Sequence, residues 1–88
     1  MTKIEKEVLK WHKATFPNAT VKDIADKLLE EIGEVLSAKT NNELKEEIAD
    51  VAIVAIALLD RFGTSLSEEI KTKHAINKKR VWDSNGKR

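Results

Sequence analysis

The sequence predicts an all-α domain of four helices, on three observations. Gly 3 and Pro 1 in 88 residues leave few backbone breakers. Apart from Gly33, those breakers fall outside the segments whose apolar residues recur at helical spacing, and no stretch alternates apolar and polar residues as a half-buried strand does. A chain this short forms one domain, 1–88, and buries only a modest share of its surface, so self-association is expected from size alone.

The first helix is expected over about 2–15, where Ile4, Val8 and Trp11 keep helical spacing. It ends before FPNAT (16–20), because Pro17 disfavours the helical conformation at Phe16. Thr20 is the expected N-cap of the second helix, with Asp23 at the reciprocal position of a capping box. This helix, about 21–39, carries Leu28, Leu29, Ile32, Val35 and Leu36 on one broad face. At ~100° per residue, Lys27, Glu31 and Glu34 gather within about 60° of arc elsewhere, with Glu31 at the rim of the apolar side. An acid at that rim points into a crevice, is only partly hydrated and needs a partner. Thr40 and Glu43 in TNNE (40–43) offer a second capping box for a helix of about 43–62 that stops at Gly63. Its second half, VAIVAIALL (51–59), is apolar nearly all round, and a subunit interface is expected there. Ser65 or Ser67 caps a fourth helix of about 67–82, and 83–88 reads as a frayed tail.

Lys+Arg 16 nearly balance Asp+Glu 15, which excludes a basic nucleic-acid binder and an acidic disordered tail. No stable nucleic-acid partner is expected. Without cysteine there is neither a disulfide framework nor a thiolate metal site, so a metal would be held by oxygen or by His12 and His74. MTKIEKEVLKW lacks the apolar core of a signal peptide, and the apolar run at 51–59 is about half of the ~20 residues that cross a bilayer. A soluble, cytoplasmic protein with no membrane partner is expected.

Glu31 and Glu34 are three apart, as are Glu47 and Asp50, so each pair projects from one face of its helix. Two neighbouring antiparallel helices would turn the pairs towards each other, and four such carboxylates stay ionised together only beside cations. Mg²⁺ or Mn²⁺ accepts oxygen ligands of this kind. A ferritin-like di-iron centre needs a Glu-x-x-His pair on each of two helices, and neither His12 nor His74 has a Glu three residues before it. A lone Glu-x-x-Glu is usually a solvated helix face; the ordered combination of two pairs is what points to metal. Glu43 and Glu46 read as surface acids, and His12 and His74 as boundary residues.

EEIGE (30–34) followed by EIAD (47–50) resembles the EExxE…ExxD pattern of the MazG-like nucleoside triphosphate pyrophosphohydrolases. The likeness extends to KHAINKKRVW (73–82), similar to that family's Lys-x-x-x-Asn-x-x-Arg element, with Lys73, Asn77 and Arg80 on one face of the last helix. The resemblance implies a dimer or dimer of dimers of helical bundles that hydrolyses an NTP or dNTP to the monophosphate and pyrophosphate, by water attack at the α-phosphorus. It implies Mg²⁺, with Mn²⁺ as substitute, on Glu31, Glu34, Glu47 and Asp50, and assigns Glu30 either to the attacking water or to a second ion. Lys73 and Arg80 would pair with phosphate oxygens, Asn77 with sugar or phosphate, and Lys27 would add a phosphate contact. Trp11 and the neighbouring HKATFPN stretch (12–18), His12 included, are the candidates for the base pocket, and core packing is an equal account of Trp11. A helical module that binds nucleotide or assembles without turnover is the alternative function.

Overall fold

The computed structural model describes residues 1–87, and Arg88, the end of the expected tail, lies outside the described residues. Its elements are α1 (Lys3–Thr15), α2 (Val21–Ser37), α3 (Asn41–Asp60) and α4 (Leu66–Asn77), with no strand among the described residues. No described helix is long and apolar enough to cross a membrane.

Each helix begins at a hydroxyl. Thr2, Thr20, Thr40 and Ser65 accept the N–H of Glu5, Asp23, Glu43 and Glu68, which satisfies one orphan donor of each first turn. The Thr20 box closes in both directions, Asp23 N–H to Thr20 Oγ1 at 3.1 Å and Thr20 N–H to Asp23 Oδ2 at 2.9 Å. At Thr40 only half the box forms, because the Glu43 carboxylate reaches past it to the Lys39 N–H at 2.9 Å. Thr20→Ala breaks both bonds of the closed box and is expected to cost about 1 kcal/mol, read as a lower urea midpoint. An unchanged midpoint would remove the cap from the stability account.

Helix α1 ends at Thr15 as its sequence predicts, whereas α2, α3 and α4 end earlier than their spacing predicts. After Asp60 the chain tightens, with Arg61, Phe62 and Gly63 donating to carbonyls three residues back, and Gly63 leaves the turn at φ 73°, a conformation open to glycine. The Arg61 guanidinium donates to the Ala19 carbonyl and joins the end of α3 to the α1–α2 loop. Helix α4 stops at Asn77, five residues short of the expected limit at 82. A longer helix would give the Asn77 carbonyl to the N–H of Val81; here it receives the N–H of Arg80 at 3.1 Å and the indole N–H of Trp82 at 2.8 Å. Arg80 therefore leaves the helical face it was expected to share with Lys73 and Asn77. Residues 83–87 form a hydrogen-bonded turn where fraying was expected, the Asp83 carboxylate accepting the N–H groups of Asn85 and Lys87 at 2.9 and 2.8 Å.

Helix α3 is the hub: α2 packs along it, α1 covers another side, and α4 meets it only briefly. The core at this junction is Ile24, Val54 and Ala57, flanked by Ala19, Leu28 and Leu58. Every residue of the 51–59 run is consequently buried or half-buried within the single chain, so the bare apolar face expected there does not exist. Exposed large apolar side chains stand instead at Leu29, Ile32 and Leu36 on α2 and at Leu44 and Ile48 on the first half of α3. Helix α4 buries none of its side chains. Its first turn is held by the buried Ser65 and by the Ser67 hydroxyl, which donates to the buried Glu5 carboxylate of α1. That bond, with help from Thr2 and against the effect of burial, holds the Glu5 carboxyl below its ordinary pKa.

Candidate functional site

The short connection between Ser37 and Asn41 folds α3 back along α2 and brings the two acidic segments together. Carboxylate oxygens of Glu31, Glu47 and Asp50 all lie within 4.8 Å of one another. Glu31 is buried, Glu47 half-buried and Asp50 exposed, so the cluster opens to one side. Burial pushes the Glu47 carboxyl above its ordinary pKa, and the negative charges of Asp50, Glu34, Glu31 and Glu46 push it further. Three oxygen donors at this spacing, with neighbouring negative charge crowding Glu47, fit a hard divalent cation. Glu34 stands outside the trio but close enough to act on Glu47.

Lys27 lies one turn before Glu31, and its ammonium sits 3.0 Å from Glu31 Oε1 and 3.4 Å from Glu30 Oε1. The Glu30 side chain is mostly exposed and is not part of the trio.

Glu31, Asp50 and Lys27 form one wall of a cleft of about 570 Å³ whose other wall carries Trp11, His12 and Phe16. The indole of Trp11 stands edge-on to Phe16, centroids 5.6 Å apart at 86°, and the His12 ring lies 5.1 Å from the same phenyl. Trp11 is 56% exposed, which removes core packing as its explanation. Desolvation, and then the charge of Arg61, lower the proton affinity of His12, so the ring is neutral near pH 7 and offers one donor and one acceptor. Phe16, which belongs to the HKATFPN stretch (12–18) that the sequence marks for the base pocket, stands in the same wall. A second, smaller cleft of about 380 Å³ shares His12 and Phe16 with the first and is lined by Lys13 and Asp60, an ion pair at 3.2 Å.

The last-helix element is not brought to this place. Lys73, Asn77 and Arg80 line neither cleft among the described residues. Asn77 keeps a buried Oδ1 with no hydrogen-bond partner.

Acids from two helices of an all-α fold, converging beside an aromatic-walled cleft, define a nucleotide pyrophosphohydrolase of the MazG-like kind. The chain belongs to the phosphoribosyl-ATP pyrophosphohydrolase family, which it matches over residues 1–77. It is 33% identical over 82 residues, 93% of its length, to a dATP/dGTP diphosphohydrolase of cyanophage S-2L, 77% of which it covers. A dATP/dGTP diphosphohydrolase of Salmonella phage PMBT28 is 32% identical over 79 residues, 90% of this chain, and the chain spans only 27% of that longer protein. Among solved structures, the cyanophage S-2L MazG-like pyrophosphohydrolase bound to dGDP and three catalytic Mn²⁺ ions per active site matches with a TM-score of 0.78 and 32% identity. That match covers 97% of this chain and 86% of the other. The all-α fold and the MazG-like resemblance carried by EEIGE and EIAD are thereby borne out.

Proposed function

We propose that this domain, residues 1–88, hydrolyses purine deoxynucleoside triphosphates to the monophosphate and pyrophosphate, with water attacking the α-phosphorus. The observation that carries this is the convergence of Glu31, Glu47 and Asp50 within 4.8 Å beside the cleft walled by Trp11 and His12. The purine preference rests on the named substrates of the two phage relatives.

Glu31, Glu34, Glu47 and Asp50 hold Mg²⁺, or Mn²⁺ in its place. When bound, the cation supplies positive charge against the triphosphate oxygens and makes a nearby water more acidic. Glu31 and Asp50 place the phosphates at their end of the cleft. Trp11 and Phe16 offer the base a ring face and a ring edge, while neutral His12 can donate to or accept from the base edge. Glu30, exposed beside Lys27, orients or deprotonates the attacking water, or helps hold a second ion. Lys27 already lines the cleft and meets phosphate there. Lys73, Asn77 and Arg80 line neither cleft, and their part in the phosphate and sugar contacts rests on their match to the family element alone. The chain works as a cytoplasmic homodimer or homotetramer, its copies joined through Leu29, Ile32, Leu36, Leu44 and Ile48.

The test is release of pyrophosphate and monophosphate from dGTP, dATP, the pyrimidine dNTPs, the NTPs and phosphoribosyl-ATP, with Mg²⁺, Mn²⁺ or EDTA. Both products are expected in equal amounts, fastest from the purine deoxynucleotides, and neither in EDTA. Phosphoribosyl-ATP ranking first would move the substrate to the one named by the matching family. A folded protein silent across the panel would return the function to a binding or assembly module.

A further inference from the structure

We infer that Lys27 is an internal stand-in for the divalent cation: its ammonium holds Glu31 in the metal-free protein, and metal binding displaces it towards the phosphates. This rests on the metal site proposed above. The Nζ atom lies 3.0 Å from Glu31 Oε1, and the Glu31 side chain is only 10% exposed, so the carboxylate has little water to turn to. Among the described residues, Lys27 supplies the one short ionic contact to that buried acid. It is also built to let go. Its own side chain is 51% exposed, and a lysine one turn before its glutamate is the weaker order of such a helical pair. A single ammonium reaches one member of the Glu31, Glu47 and Asp50 trio, whereas a dication placed among oxygens within 4.8 Å of one another meets all three.

Once displaced, the ammonium does not leave the site. Lys27 lies in the same cleft wall as Glu31 and Asp50, so the released charge faces the position assigned to the triphosphate. Metal loading thus frees a phosphate-binding group, and the two events are coupled through one side chain. Loss of Lys27 should act with opposite signs on the two ligands, tightening metal and weakening nucleotide.

The experiment is calorimetric titration of the full chain and of Lys27→Met with Mg²⁺ alone, beside observation of the Lys27 side-chain Nζ resonance during the same titration. Lys27→Met is expected to bind Mg²⁺ about three-fold more tightly, the scale of one exposed helical ion pair. It is expected to bind a non-hydrolysable dGTP analogue more weakly once Mg²⁺ is saturating. The wild-type Lys27 resonance should move and saturate together with Mg²⁺ occupancy. Equal or weaker Mg²⁺ binding by Lys27→Met overturns the inference alone, and so does a tighter variant with an unmoved wild-type resonance, which reduces the effect to bulk charge. A wild-type chain that binds no Mg²⁺ overturns the metal site and this inference with it.

Discussion

Asp50→Asn, and equally Glu31→Gln, is expected to lower pyrophosphate release by on the order of a thousand-fold or more while the helical circular-dichroism spectrum stays unchanged. Both carboxylates belong to the trio within 4.8 Å, and both line the cleft. An amide in either place keeps the shape and loses the charge that retains the cation. The metal contributes several kcal/mol of charge stabilisation in the transition state, and every ~1.4 kcal/mol lost is a factor of ten in rate. The same substitution acts oppositely on the fold. Asp50 is the acid that pushes the Glu47 carboxyl furthest above its ordinary pKa, after the effect of burial itself. A carboxyl that holds its proton more tightly folded than unfolded stabilises the fold as pH drops through the raised pKa. Without metal, wild-type stability should therefore climb from neutral towards mildly acidic pH, and Asp50→Asn should show a higher neutral melting point and a shallower climb. Near-normal turnover in Asp50→Asn would remove the acid from the metal site.

The combined substitution Ile32→Glu and Ile48→Glu is expected to convert a self-associated protein into a 9.9 kDa monomer, seen as a drop in sedimentation coefficient at micromolar concentration. The single chain buries only five apolar side chains, Leu9, Ile24, Val54, Ile56 and Ala57. On the two helices that carry the acids, Leu29 is 71% exposed, Leu36 82% and Ile48 52%. Leu29, Ile32 and Leu36 follow one stripe of α2, and Leu44 and Ile48 are one turn apart on α3. Covering a large apolar side chain is worth about 1.5–3 kcal/mol, so a facing copy gains enough from this set to matter, and two buried carboxylates would reverse the gain. A wild-type chain that sediments as a monomer at micromolar concentration would contradict this interface.

The sequence carried most of what is local. Thr20 and Thr40 as caps, Gly63 as a stop and the pairing of Glu47 with Asp50 on one face all depend on neighbours within a turn, and residue type with spacing decides them. What depends on distant neighbours was not legible. The 51–59 run looked too apolar for one chain because nothing local says that α1, α2 and α4 all gather on α3. Helix α4 looked five residues longer because the indole of Trp82 competes for the Asn77 carbonyl only once the chain has turned. Lys27 was legible as a cation one turn from Glu31, yet its bond to that acid depends on a rotamer, which no spacing fixes. Trp11 kept the stripe of Ile4 and Val8, and only the packed structure shows it standing over a cleft.

Helix α4 is secured at its first turn, by Ser65 and by the Ser67–Glu5 hydrogen bond, and none of its residues is fully buried, although the Oδ1 atom of Asn77 at its far end is. Mechanically it is a lever with its pivot at one end. Twelve residues at ~1.5 Å rise make a rod about 18 Å long, so a tilt of about 10° at the pivot carries the Asn77 end through about 3 Å. That is the length of a hydrogen bond. The Ser67–Glu5 bond at the root of α4 therefore bears on where Lys73 and Asn77 stand relative to Glu31, Glu47 and Asp50, which lie on the most closely packed pair of helices.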